Sequence, residues 1–368
     1  MSALSAPSPY SQAKAEAVAG AAGAMVAPVR WPAVVPGSST GFGALREAGP
    51  TVRKAGPISM KRLELFRLAA PKDSGAHRYP GTVTDVLPPA PAPLPTTLAE
   101  ASEAGRTLIM GIINVTPDSF SDGGRWDTTD LAVAHGRQLR AQGADLLDVG
   151  GESTRPGAAR ITPATEQERI IPVVRALAAS GAVVSVDTVH AATAEAAVGA
   201  GAVIVNDVSG GLADPAMHRV VADTGVVYIC QHWRGDPGTM DRLTDYSALG
   251  GVVDGVETEL RERLDELDAA GAGLRQVVID PGLGFAKTHA QSWRLLAATE
   301  RLRVDLGLPV LIGSSRKRFL AAAVPGSAAA DPIARDAATA ATTALAALAG
   351  AWAVRVHEVP ANRDAVRT

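Results

Sequence analysis

Cysteine occurs once in the chain, at Cys230, and a single thiol excludes a disulfide scaffold and any zinc cluster built on cysteines. That usage fits a reducing compartment, so a cytoplasmic location is expected. Aromatic residues make up only 4%, which leaves Val, Leu, Ile and Ala to build the core. A formal net charge of −3 gives no basic field of the kind that binds nucleic acid. No membrane span is expected either. A long uncharged stretch between Asp336 and Arg355 is mostly Ala and Thr and is interrupted by Gly350, so it reads as a buried helix followed by a strand. The Ala-rich segment 17–27 lacks Leu and Ile, and Glu16 sits beside it, which argues against a secretory signal.

Apolar residues nevertheless reach 46% of the 368, enough for a sizeable core. The chain changes character near residue 100. Residues 1–95 are rich in Ala, Pro, Gly and Ser and end in a Pro-rich run over 88–95 of polyproline character. Only 61–68 (KRLELFRL) alternates enough for a short strand or amphipathic turn. The expectation is a largely disordered Ala/Pro-rich N-terminal extension and linker over 1–95, dispensable for chemistry, and one folded domain over 96–368. Met25 and Met60 are candidate later starts.

From residue 107 onward, short apolar runs alternate with longer helical segments. The runs lie at 108–113, 146–149, 183–186, 203–205, 226–229, 277–279, 310–312 and 353–356. Eight such runs within about 260 residues fit a (β/α)8 TIM barrel, with a doubly wound open sheet as the alternative α/β arrangement. Val252, Val256, Leu260, Leu264 and Leu267 form an apolar stripe at helical spacing. Asp331 followed by Pro332 reads as the cap and first turn of a helix that Gly350 stops.

Each run ends in something polar: Asn114, Asp148, Asp187, Asn206, Gln231-His232, Asp280, the Gly313–Lys317 segment with Ser315 and Lys317, and Arg355 with His357. Polar groups at the C-terminal ends of barrel strands are where such folds build active sites. Helix capping would explain some of the Asp and Asn but not the Arg, His and Lys. Side chains alternate along a strand, so valines 354 and 356 facing the helices leave Arg355 and His357 in the mouth, where the pair suits an anion such as a phosphate. The loops after the first two runs are Gly/Ser/Pro-rich, and Phe120 in the first needs somewhere to pack. Lysine is a further signal. From Gly105 to the end there are 23 arginines but only two lysines, Lys287 and Lys317, so a lysine beside Arg316 and Arg318 after the seventh run is a chemical choice. Lys317 follows the seventh run and is expected in the mouth. Lys287, past the DPGLGF turn, is expected to tolerate arginine.

The segments IMGIINVTPDSFSDGG, LLDVGGESTRPGA, SVDT, NDVSG, DPGLGF, GSSRK and RVHEV resemble, in order, those of the dihydropteroate synthase family. The resemblance spreads over residues 109–359 and leaves out the N-terminal extension. It implies a TIM barrel, usually a homodimer, that joins 6-hydroxymethyl-7,8-dihydropterin diphosphate to 4-aminobenzoate with Mg²⁺. By the match, Asp187, Asn206, Asp280 and Lys317 meet the pterin, and Asn114, Arg155, Arg355 and His357 meet the diphosphate, with Asn114 as the magnesium ligand. Phe120, Thr154, Pro156, Phe285 and Ser315 border the aminobenzoate pocket, where sulfonamides compete. Lys317, Asp148, Arg355 and His357 are the expected catalytic groups, Asp148 favouring a pterin cation electrostatically. Two departures stand out. Gln231-His232-Trp233 replaces a common Met-His, which would bring Trp233 near the pterin face, and Ala286 stands where Gly is common. A related pterin-binding methyltransferase and a noncatalytic pterin-binding paralogue are the rival readings.

Overall fold

The structure is a computed structural model that describes residues 106–116, 128–152, 160–236, 238–326 and 330–368. The extension expected over 1–95 lies outside the described residues.

Eight parallel strands alternate with helices: β1 (Leu108–Asn114), α1 (Thr128–Gln142), β2 (Leu146–Gly150), α2 (Pro163–Ala179), β3 (Val184–Asp187), α3 (Ala191–Gly199), β4 (Ile204–Asp207) and α4 (Met217–Thr224). Then follow β5 (Val227–Gln231), α5 (Val252–Ala269), β6 (Val277–Asp280), α6 (His289–Ala297), α7 (Thr299–Leu306), β7 (Leu311–Ile312), α8 (Asp336–Leu348), β8 (Ala353–Val356) and α9 (Pro360–Arg367). The ladder runs β6-β5-β4-β3-β2-β1-β8-β7. A bridge between Ile279 and Val310, with Ile279 N donating to the Pro309 carbonyl at 2.9 Å, joins its two edges. The sheet is therefore a closed barrel, and the open doubly wound alternative is set aside.

Period-two alternation sorts the strand residues into two layers. Ile109, Ile113, Val186, Val354 and Val356 belong to the apolar layer between strands and helices. Leu108, Met110, Leu146, Ile204, Ile229, Val278, Leu311 and Ala353 form a separate cluster inside the barrel. The helical stripe does what its spacing implies: Val252, Val256, Leu260, Leu264 and Leu267 are all buried. Each such side chain contributes roughly 1.5–3 kcal/mol relative to exposure. Helix starts are locally encoded, since Thr162 accepts from Thr165 N ahead of α2, and Thr288 with Gln291 makes a capping box on α6.

The last helical segment departs from expectation in two ways. Asp331 caps only a 3-10 turn, accepting from Ile333 N at 2.9 Å, and the α-helix begins at Asp336. Nor is α8 buried all round. Ala337, Ala341, Leu345 and Leu348 lie exposed at helical spacing, with Leu348 87% exposed. Alanine carries no polar signal, so the sequence could not tell a buried face from a bare one.

Candidate active site

The inward face of each strand turns from apolar to polar toward its C-terminal end, and the polar ends open into one cavity of about 1140 Å³. Asn114, Asp187, Asn206, Asp280 and Gln231 line it from β1, β3, β4, β6 and β5. Phe285, Ser315, Lys317, Arg355 and His357 complete the expected set among the described residues. Strand register holds the polar ends side by side. Asp187 pairs with Asn206, and Gln231 with Asp280. Asp148 does not line the cavity but lies fully buried behind it. Phe120, Thr154, Arg155 and Pro156 lie outside the described residues.

Arg355 organises one half. Its Nε donates to Asp148 Oδ2 and its Nη2 to Asp187 Oδ2, both at 2.6 Å. Asn206 Nδ2 donates to the same Asp148 oxygen at 3.0 Å, while Asp148 Oδ1 is buried without a partner. Arg355 and His357 are each engaged by neighbours as well as lining the cavity. Much of the Arg355 charge is engaged by two carboxylates, and His357 Nδ1 meets Ser315 Oγ at 2.9 Å. Burial, helped by neighbouring Asp148, Glu166 and Asp207, outweighs Arg355 and pushes the Asp187 carboxyl up to about 7.

Lys317 organises the other half. Its Nζ donates to the Leu283 carbonyl at 2.5 Å and stands 4.5 Å from the centre of the Phe285 ring. Burial lowers its pKa to about 8, although Asp280 pulls the other way. Asp280, also pushed upward by burial, accepts from Gly282 N at 2.7 Å and so shapes its own turn. Below, Asp207 fixes the loop after β4 by accepting from Ser209 N, Ser209 Oγ, Gly211 N and the Tyr228 hydroxyl.

Two placements differ from the sequence reading, and a third agrees with it. Lys287, which immediately precedes the Thr288 cap, is 6% exposed and lines the cavity, with Nζ 2.9 Å from His232 Nδ1. Trp233 is not among the lining residues, whereas Gln231, the last residue of β5, is. Ala286 adopts φ 50°, the left-handed region in which glycine is the unstrained choice. The scarcity of lysine was the signal for Lys287, applied to only one of the two lysines.

Residues 110–357 match the model of the pterin binding enzyme family. The chain belongs to that family. It is 51% identical over 263 residues to the dihydropteroate synthase of Mycobacterium leprae (strain TN), covering 70% of this chain and 91% of that protein. It is 42% identical to a folate synthesis bifunctional protein of Arabidopsis thaliana, of which it covers 56%. Its fold matches the solved structure of Xanthomonas albilineans dihydropteroate synthase with 4-aminobenzoic acid at a TM-score of 0.65 and 43% identity, covering 71% of this chain and 91% of that one. Dihydropteroate synthase is thus the branch of the pterin-binding enzymes to which these likenesses assign the barrel. Among the described residues, no helix is long and apolar enough to cross a membrane.

Proposed function

We infer that the chain condenses 6-hydroxymethyl-7,8-dihydropterin diphosphate with 4-aminobenzoate to give 7,8-dihydropteroate and diphosphate. One observation carries the reading: Asp187, Asn206 and Asp280 stand at strand ends around one cavity, with Lys317 beside Asp280. An amino-pyrimidinone edge presents adjacent donors and acceptors, and carboxylates beside an amide answer them. Rigid strand ends hold those groups in place without reorganisation.

Cleavage of the pterin methylene C–O bond sends its electron pair to diphosphate. The arylamine nitrogen then forms the new C–N bond and gives up a proton, which balances the released diphosphate. Asp187, with Asp148 behind it, favours positive charge developing on the pterin. Arg355, through its remaining Nη1, and His357 receive the leaving anion, and Phe285 and Ser315 flank the arylamine. Sulfonamides, as arylamine analogues, compete in that half.

A magnesium ion fits this account. Asn114 presents a hard amide oxygen to the cavity with no hydrogen-bond partner among the described residues, and those residues contain no cluster of three or more His, Cys, Asp or Glu suited to a metal. Such a donor set suits an ion that arrives with the diphosphate, and when bound it would neutralise leaving-group charge.

The exposed Ala337, Ala341, Leu345 and Leu348 face supports a homodimer built on α8. The buried free thiol of Cys230 supports a cytoplasmic enzyme. Incubation with both substrates and magnesium, followed by mass detection of 7,8-dihydropteroate, tests the function. Product is expected only when both substrates are present. Pterin binding without product would favour the noncatalytic reading, and methyl transfer from a methylated pterin the methyltransferase.

A further inference from the structure

From the cavity wall outward, a chain of side chains joins the end of β5, α5 and the turn after β6. Lys287 Nζ lies 2.9 Å from His232 Nδ1 and donates to the Phe285 carbonyl at 2.9 Å. On the far side of the ring, His232 Nε2 meets Glu259 Oε2 of α5 at 2.7 Å. Glu259 is itself held by Arg234, whose Nη2 donates at 2.6 Å and Nε at 2.8 Å. Arg234 lies 3.7 Å over the Tyr246 ring, and the Tyr246 hydroxyl donates to the Ala286 carbonyl at 3.1 Å.

These contacts converge on one short turn. The carbonyls of Leu283, Phe285 and Ala286 are gripped by Lys317, Lys287 and Tyr246 respectively. Gly282 has φ +66°, and a Cβ there would collide with the His232 carbonyl and come within 3.4 Å of Lys287 Nζ. The fit leaves no slack between turn and pair.

The donor order follows from the groups. Lys287 donates to Nδ1, so Nε2 carries the ring proton and donates to the Glu259 carboxylate. Burial and the nearby Lys287 press the His232 pKa down to about 4, which keeps the ring neutral, and burial also drives Lys287 well below the usual lysine range. Lys287 forms no ion pair with any described residue within salt-bridge distance. A buried amine is costly, and methionine of similar length would fill the space more cheaply. Its hydrogen bonds to the turn are what distinguish it from such a filler.

We propose that Lys287 is a positioning residue for the pterin half of the cavity, aimed by His232 and Glu259 so that its amine locks the turn carrying Asp280 and Phe285 against Lys317. The proposal rests on the function inferred above and adds a residue to it.

Steady-state kinetics on the full-length chain test it, with both substrates varied and thermal unfolding measured alongside. Lys287→Met is expected to lower kcat/KM for the pterin diphosphate at least tenfold, mainly through KM. The KM for 4-aminobenzoate should stay within twofold, and the unfolding temperature should hold or rise. Glu259→Gln, which leaves the lysine and histidine in place, is expected to raise the pterin KM at least threefold. Pterin constants within twofold of wild type in Lys287→Met overturn the proposal. So does a loss that falls equally on both substrates and tracks a lowered unfolding temperature, since that is a general packing defect. The wild-type chain separates this from the parent reading: no turnover by wild type overturns both, whereas an active wild type with an unaffected Lys287→Met overturns the proposal alone.

Discussion

Arg355 Nε donates to Asp148 Oδ2 at 2.6 Å across the inside of the barrel, between residues 207 positions apart in the chain. Asp148 is fully buried, and the same oxygen takes the Asn206 amide. The pair ties β8 to β2 and β4 beneath the cavity. Removing one partner strands the other's charge in a medium that solvates it poorly. Asp148→Ala should therefore cost about 3 kcal/mol in chemical denaturation, the low end of the range for broken buried pairs because Asp187 still holds Arg355. A loss below about 1 kcal/mol would mean that Asp187 alone satisfies the guanidinium.

Asp187 gives a pH signature. Its folded pKa, raised to about 7 by burial, lies above the ordinary carboxyl value of 3.8. The folded chain then holds a proton that the unfolded chain has lost, so this group's contribution to stability is full below about pH 4 and fades as pH rises through about 7. Pterin recognition runs the other way, because the carboxylate must be ionised to accept two donors. The kcat/KM for the pterin diphosphate should climb toward pH 7 and then level. Asp187→Asn should remove that limb and lower kcat/KM by one to two decades, since an unpaired buried partner costs roughly 1–3 kcal/mol. An acid limb that survives in Asp187→Asn assigns it to another group.

Lys317 offers a compact point charge whose Nζ donates to the Leu283 carbonyl from beside Asp280, a place that a wide planar guanidinium fork does not reproduce. Lys317→Arg should keep the fold yet lose at least about tenfold in kcat/KM, or roughly 1.4 kcal/mol of transition-state stabilisation. Near-wild-type kinetics for that variant would remove Lys317 from the chemistry.

Ala286 offers a test on backbone conformation. At φ 50° its side chain carries a left-handed penalty of roughly 1–2 kcal/mol, which glycine avoids. Ala286→Gly should thus be nearly neutral in stability despite the lost buried methyl. Ala194→Gly, at an equally buried position inside α3, should cost about 1 kcal/mol or more from helix propensity alone. Equal losses at the two sites would show that the left-handed geometry does not hold.

The strands and the polar residues at their ends were legible because period-two alternation, closely spaced Gly and Pro, and a change from Val or Ile to Asp or Asn are all local signals. Asn114, Asp187, Asn206 and Asp280 fall where those signals put them. What escaped is non-local. Nothing near Arg355 in the chain announces that Asp148 and Asp187 will share its guanidinium. Glu259 reads as one more solvent-facing charge on an amphipathic helix, yet it closes on His232 and Arg234 from another element. Lys287 stands just past the DPGLGF turn, where nothing local signals burial, and its contact with His232 from β5's continuation comes from another element.

The most direct test of the account is the rate of diphosphate release by the full-length chain supplied with the pterin diphosphate and magnesium, with and without 4-aminobenzoate. Release should be stoichiometric with 7,8-dihydropteroate and rise at least tenfold when the arylamine is present. Tight pterin binding with no diphosphate released under either condition would contradict it.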